Sequence, residues 1–376
     1  MKVLHVHSGN LYGGVETFLL TLARFRHHAP SMEMAAALCF DGRIADELRR
    51  EGIATSLLEP VRLRRPDSIG RGRRALRRVL DEGHFDAVVC HQAWPIAIFG
   101  PVVKTAGVPL VSWIHMAPSG HWIDRLAARV DPDLTICNSH FTASLLPKRT
   151  APVSVVHYPV SAITRPRPSR DRLDFVRHEL QTSTDDIVII QVSRMEALKG
   201  QMVCLEALGQ LASLRGWTCW QVGGAQRDFE RHYFDSLRSA AQRLGISSRV
   251  RFAGERNDVP DLLAASDIYC QPNLSPEGFG ITFVEAMSAG LPVVTSAIGG
   301  ALEVVDAASG ILVRETDNQR RASATAVTLA RLIGDPTACR QMAEAGRRRA
   351  VALCDPARQM RRVADALETV CVASHR

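Results

Sequence analysis

Short apolar runs, most of them apolar on both faces, alternate with amphipathic stretches from the start of the chain. Runs at 3–7, 34–40, 55–58, 87–91, 110–115, 134–137 and 153–157 predict strands. Between several of them, a 3.6-residue period at 17–27, 75–82 and 123–129 predicts helices. A strand with two apolar faces is covered on both, so the alternation predicts a mainly parallel sheet flanked by helices. A second series of runs stands at 187–192, 219–222, 250–253, 268–270, 292–295 and 310–313. The polar stretch between the two series holds Pro159, Pro166 and Pro168, the composition of a domain boundary. From Asn318 onward strands give way to three helical patterns. The expected organisation is α/β: a Rossmann-like parallel-sheet domain at 1–160, a linker at 161–185, a second such domain at 186–352, and a closing helix at 353–376 that packs back on the first domain. The two sheets are expected to face each other across a cleft.

The length of 376 residues suits two such domains, and 46% hydrophobic with 23% charged residues is the balance of a globular chain. No apolar run approaches the roughly 20 residues of a membrane-spanning helix. The opening MKVLHVHSGN enters a strand directly, without a signal-peptide region, so a cytoplasmic location is expected. Nine cysteines without a CxxC pair fit a reducing compartment and argue against a disulfide frame or a zinc site. The net charge of +7 is concentrated: Arg62, Arg64, Arg65, Arg71, Arg73, Arg74, Arg77 and Arg78 stand against Asp67 alone, and the rest of the chain balances.

Four segments carry candidate chemistry. Gly13 and Gly14 follow the first strand and open a helix, where backbone amides attract negative charge, although a tight turn explains the same residues. The loop after 187–192 sets Arg194 and Lys199 at the carboxyl edge of a parallel sheet, where phosphate ligands bind such folds; a solvated loop tip would look alike. Glu277, Phe279, Gly280, Ile281 and Glu285 lie on a loop running into a helix. Capping accounts for Glu277 but not for Glu285, whose place on an apolar helix asks for hydrogen-bond donors such as sugar hydroxyls. Ile298 to Glu303 repeats a glycine pair before a short helix with an acid. His115 ends the fifth strand. With His5, His7 and His91 it raises the question of a metal cluster, but the spacing matches no local metal motif. Asp131-Pro132-Asp133, the only DxD, reads as a helix-to-strand turn.

EGFGITFVEAMSAGLPVVTSAIGGALEVV, with Glu277 and Glu285 as an EX7E pair, VSRMEALKG, GGVE and WIHM together resemble glycosyltransferase family 4, the retaining GT-B group, over nearly the whole chain. Gly278 stands where that family often has proline, and the segment before Glu277 is one residue longer than its commonest form. The resemblance implies the GT-B fold and transfer of a hexose-type sugar from a nucleotide-diphosphate sugar to a hydroxyl acceptor, without metal or cofactor. It implies that Arg194 and Lys199 neutralise the departing diphosphate and that the backbone at Phe279, Gly280 and Ile281 cradles it. Glu285 would bind the ribose, Glu277 the donor sugar and His115 the transferred sugar, while the Gly13-Gly14 loop approaches the phosphate and leaves room for the acceptor. An anionic or lipid-linked acceptor, or peripheral contact of the 62–78 segment with an anionic membrane, would use the arginines. Two rivals are a GT-B nucleotide-sugar epimerase, for which EX7E together with the SRxxxxKG loop is not expected, and a non-catalytic anion or nucleic-acid binder. The second lacks aromatic platforms and recognition motifs, so no specific nucleic acid is expected.

Overall fold

The computed structural model describes residues 1–9, 13–116, 120–147 and 151–374, and each expected strand forms in it. They are β1 (Lys2–His7), β2 (Glu33–Leu38), β3 (Ala54–Leu57), β4 (Ala87–His91), β5 (Leu110–Ile114), β6 (Leu134–Cys137) and β7 (Val153–Val155), then β8 (Ile187–Val192), β9 (Trp217–Val222), β10 (Val250–Gly254), β11 (Ile268–Gln271), β12 (Val293–Ser296) and β13 (Gly310–Val313). The chain divides into two units, Met1–Ser161 with Cys354–Arg376, and Ala162–Leu353.

In the first unit all strands are parallel, in the order β3-β2-β1-β4-β5-β6-β7. The chain starts in the middle, winds outward to β3, and returns to lay β4 against the other side of β1. Strand direction is thus shared while winding direction reverses between β1 and β4, and doubly wound sheets take ligands outside the strand carboxyl ends at such a reversal. Those ends are His7 and His91. The second unit repeats the plan as β10-β9-β8-β11-β12-β13, also parallel, with the reversal between β8 and β11 at Val192 and Gln271.

Both sheets bury apolar residues on both faces, as parallel sheets with crossover helices must. Leu4, Val6, Val88 and Cys90 pack with Leu76, Leu80 and Phe99 from covering helices in the first unit. Ile189, Cys219, Ile268 and Cys270 pack with Cys204, Leu208 and Leu237 in the second. The cysteines are free thiols serving as small core side chains, and burial pushes the Cys39 thiol up to about 12.

The 161–185 stretch expected as a linker contains the helix Arg170–Glu179, and 162–185 belongs to the second unit. Charge fastens this polar helix: Arg172 reaches Asp258 and Asp261, both at 2.8 Å, and Arg177 reaches Asp267 at 2.8 Å. The last helix, Pro356–Ser374, joins the first unit, with the Val160 amide donating to the Cys354 carbonyl at 3.1 Å.

The arginine-rich segment, with an apolar period at 75–82 inside a helical pattern at 69–82, forms a helix that runs Pro66–Gly83. Proline at its start costs no hydrogen bond. Gly70 and Gly72 look like breakers, but Gly72 lies on the buried face with Ser68, Ala75, Leu76 and Leu80. A Cβ at Gly72 would come within 2.5 Å of the Val61 side chain, whereas one at Gly70 would meet only the Arg74 guanidinium at 3.6 Å. Helix propensity favours alanine over glycine by about 1 kcal/mol at both positions. Gly70→Ala is therefore expected to raise the thermal midpoint and Gly72→Ala to lower it. Calorimetry showing both variants stabilised would contradict the packing of this helix against Val61.

Candidate active site

The loop after β8 is pinned from below. The short 3-10 turn Ala197–Lys199 ends at Gly200, whose φ of 75° and closeness to the Pro272 carbonyl leave no space for a Cβ. Gln191 donates from its amide to the Lys199 carbonyl at 2.8 Å, and buried Gln201 donates to the Arg194 carbonyl at 2.8 Å. Gly223, after β9, lies so close to the Ser193 carbonyl that a side chain there would collide with it. Backbone contact thus holds the loops after β8, β9 and β11 together.

On this base Lys199 Nζ meets Glu277 Oε1 at 2.5 Å, with both side chains four-fifths buried. The same oxygen accepts from Gln271 at 3.2 Å and Asn273 at 3.4 Å, and Gln271 accepts from the Tyr269 hydroxyl at 2.7 Å. Beyond Glu277, the Gly300 amide donates to the Glu277 carbonyl at 2.8 Å, and Gly299 pairs with Glu277 as an isolated parallel bridge. The repeated glycine pair of the sequence is therefore a staple on the Glu277 loop. Phe279 is buried, and Gly280, at φ 93°, caps the helix Ile281–Ala289. Within that first turn the Phe283 amide donates to the Gly280 carbonyl at 3.0 Å, and the helix start makes an anion-attracting edge next to Glu277.

Arg194 is held by two acids that sequence reasoning missed. Its Nη2 lies 2.9 Å from Glu196 and its Nη1 3.9 Å from Glu230. Glu230 is fully buried: Oε2 accepts from the Gln226 and Arg227 amides at 2.5 and 3.2 Å, while Oε1 has no hydrogen-bond partner and faces the guanidinium. The signal for Glu230 was its place at the third position of the helix Asp228–Arg243, where an acid caps free amides.

Glu285 shares no hydrogen bond with Arg194, Lys199 or Glu277. It lines a cavity of about 100 Å³ with Pro260, Leu263, Arg165 and Arg347. Although the residue keeps some surface, burial of its carboxyl pushes the pKa up to about 7. Glu277 and Glu285 both act on Tyr269, whose phenol is raised first by burial and then by these two charges.

In the first unit the helix Gly14–Phe25 begins directly after Gly13, and Asn10, Leu11 and Tyr12 of the preceding loop lie outside the described residues. Glu16 closes that start, accepting from the Gly13 amide at 2.9 Å and pairing with His7 Nε2 at 2.7 Å. Neither partnership of Glu16 was read from the sequence. His115 follows β5 and is buried. Its Nε2 lies 2.8 Å from His91 Nδ1 and its Nδ1 2.5 Å from the Tyr158 hydroxyl, while His91 Nε2 lies 2.9 Å from His5 Nδ1. Asn138 Nδ2 donates to both the Tyr158 oxygen at 3.0 Å and the His115 carbonyl at 2.7 Å. The histidines are thus in contact, but three of them are bonded to one another, and among the described residues no group of three His, Cys, Asp or Glu is arranged to hold a metal ion. Asp133 of the DxD tripeptide is structural, accepting from Lys104 and from the Leu110 amide, both at 2.8 Å.

Known proteins match both units. Residues 12–162 match Glycosyltransferase Family 4, and 174–349 match Glycosyl transferases group 1. The chain is 28% identical to the GDP-mannose-dependent α-(1-6)-phosphatidylinositol monomannoside mannosyltransferase of Mycolicibacterium smegmatis, over 72% of this chain and 73% of that one. It is 37% identical to the lipopolysaccharide glucosyltransferase WaaG of Escherichia coli, over 36% of this chain and 34% of WaaG. The fold is also that of Anabaena HepE solved with UDP-glucose, with a TM-score of 0.87 at 24% identity, covering 98% of this chain and all of HepE. With a first half of the family 4 type and a second half of the group 1 type, the chain belongs to the GT-B-fold, nucleotide-sugar-dependent glycosyltransferases.

Proposed function

We propose that this glycosyltransferase is a retaining hexosyltransferase that works without a metal and delivers its sugar to a hydroxyl of an anionic, lipid-linked acceptor. It would act peripherally at the cytoplasmic face of a membrane. The observation that carries the donor half of this reading is the Lys199–Glu277 pair, set at the winding reversal of the second sheet beside the N-terminal turn of the helix Ile281–Ala289. When a glycosyl phosphate bond breaks, negative charge develops on the departing diphosphate, and donors already in position stabilise it without reorganising. Lysine has three donor hydrogens, so Lys199 can keep Glu277 while reaching a phosphate oxygen. Arg194, braced by Glu196 and Glu230, supplies a planar second cation. Glu277 then receives the donor sugar and Glu285 the ribose, while His115 in the first unit meets the transferred sugar.

For the acceptor, support comes from relatives named for phosphatidylinositol monomannoside and lipopolysaccharide. On the helix Pro66–Gly83, Arg71 is paired with Asp67 and Arg77 with Asp81, and Arg73 donates to the Ile98 carbonyl at 2.7 Å. Exposed Arg74 and Arg78, with Arg62, Arg64 and Arg65 just before the helix, have no ion pair among the described residues. No described helix is long and apolar enough to cross a membrane, so contact would be peripheral.

Lys199→Ala is expected to cut transfer by about 10²-fold or more, as loss of a preorganised donor does elsewhere. The assay is run in excess chelator, where the unaltered chain keeps its rate. Full activity in the variant, or loss of the unaltered chain's activity with EDTA that magnesium restores, would overturn the donor half.

If ribose hydroxyls donate to Glu285, its ionised form binds. With the pKa at about 7, donor affinity should fall as pH drops below 7, by up to tenfold per unit. Glu285→Gln should weaken binding and flatten that profile. Calorimetric titration with the nucleotide sugar, which has no phosphate group titrating in this range, checks both.

Replacing Arg64, Arg65, Arg74 and Arg78 by glutamine, with Arg73 left in place because it braces the helix, is expected to abolish sedimentation with anionic vesicles and to spare turnover on a water-soluble acceptor. Unchanged vesicle binding and an unchanged KM for the lipid acceptor would defeat the membrane reading.

A further inference from the structure

Imidazole offers two hydrogen-bonding atoms, and in His115 both are used inside the protein. Nε2 meets His91 and Nδ1 meets Tyr158. His91 uses its other nitrogen on His5, so three rings on the adjacent strands β1 and β4 and at the end of β5 form one line: His5, His91, His115, Tyr158. The rings of His91 and His115 stack 5.1 Å apart, and Phe18 closes over the far end, 5.3 Å from His115 and 4.6 Å from Tyr158. At the near end His5 Nε2 is buried without a partner.

A neutral imidazole donates from one nitrogen and accepts at the other, so every link in such a line shares one direction. If the Tyr158 hydroxyl donates to His115 Nδ1, His115 donates to His91 and His91 to His5. If His115 donates to Tyr158, the whole line runs the other way. A charged ring would donate from both nitrogens and reverse the line on one side of itself, so what opposes charge is burial, which pushes the His91 and His115 pKa values well below the ordinary histidine range. Glu16 pairs with His7 and with the Gly13 amide rather than with the line. Because the line ends blind at His5, it does not carry protons through the unit. What it does is fix one tautomer and one orientation for every ring.

We propose that His91, Tyr158 and Asn138 are positioning residues for sugar transfer: they hold the buried His115 ring with both nitrogens committed, so that His115 meets the transferred sugar through its backbone rather than its imidazole. Asn138 serves both parts of this, since one amide group fixes the Tyr158 oxygen and the His115 carbonyl. The proposal rests on the reading of His115 as a sugar-contacting residue.

The test combines nitrogen NMR of histidine-labelled protein with kinetics. The unaltered chain is expected to show His5, His91 and His115 as neutral rings of the same tautomer from pH 5.5 to about 8. Tyr158→Phe should move the His115 Nδ1 shift to that of an unbonded nitrogen. The same variant should lower kcat about tenfold or more, with the donor dissociation constant within about twofold of the unaltered value. His91→Gln, whose amide also offers one donor and one acceptor, should retain more turnover than His91→Leu of similar size. A His115 ring that titrates in this window, or Tyr158→Phe with unchanged kcat, overturns the proposal, as does equal turnover in His91→Gln and His91→Leu. If the unaltered chain transfers no sugar while the rings show the expected common tautomer, the functional reading fails and the hydrogen-bonded line stands.

Discussion

Backbone packed against backbone is the contact on which the second unit's strand-end geometry depends. Gly200 lies against the Pro272 carbonyl, Gly223 against the Ser193 carbonyl, and Gly300 has only 2.5 Å between a would-be Cβ and the Gly278 oxygen. The loops after β8, β9, β11 and β12 therefore stack as layers without side chains between them. Arg194, Lys199 and Glu277 leave those layers at fixed heights, and the 2.5 Å Lys199–Glu277 contact follows from that stacking. A methyl group at any of the three glycines would push two layers apart at the base of the site, which is why the glycines recur beside every charged residue there.

The two units satisfy their buried polar strand ends in different ways. Gln191, Gln221, Gln271 and Asn273 line the carboxyl edge of the second sheet and bond to one another or to the loops above. An amide carries both donor and acceptor and never titrates, so it can support an ion pair without competing for its charge. The first sheet uses imidazoles in the corresponding places, His7 and His91 at the ends of β1 and β4. Glu16 is committed to His7 and a helix start, and burial keeps the imidazole line uncharged. One edge presents charges in pairs, and the other sets an oriented imidazole line beside the His7–Glu16 pair, on the same winding plan.

Strands were legible because burial on both faces leaves short apolar runs, rich in β-branched residues and too short for helices. Helices were less so where something other than an apolar stripe holds them. Arg170–Glu179 is fastened by arginine–aspartate pairs to residues some ninety positions away, and Pro66–Gly83 carries in its first half a glycine, Gly72, that packing against Val61 requires. In the site, Arg194, Lys199, Glu277 and the Gly280 turn were readable from loop chemistry at strand ends. Glu196, Glu230, Tyr158 and Asn138 were not, because their roles are set by side chains that only the fold brings near. Glu16 and Glu230 had a local signal in their position three residues into a helix, and it announced a cap without announcing the His7 or Arg194 on the other oxygen.

Electrostatics in the second unit then bears on how a diphosphate would be recognised. Arg194 and Lys199 stand against three carboxylates, Glu196, Glu230 and Glu277, so the ligand-free edge has no excess of positive charge to draw an anion from a distance. Beyond roughly 10 Å salt screens such charges in any case. On the proposed reading, recognition at this edge would be short-range and directional, through lysine hydrogens not used by Glu277, the guanidinium fork and the first turn of the helix Ile281–Ala289. The carboxylates keep those donors extended and oriented before a ligand arrives, which lowers the ordering cost of binding and makes geometry, rather than net charge, the basis of selection. The net positive charge of the chain lies instead in the 62–78 segment of the other unit, where it is exposed and can act on a surface rather than on a single phosphate.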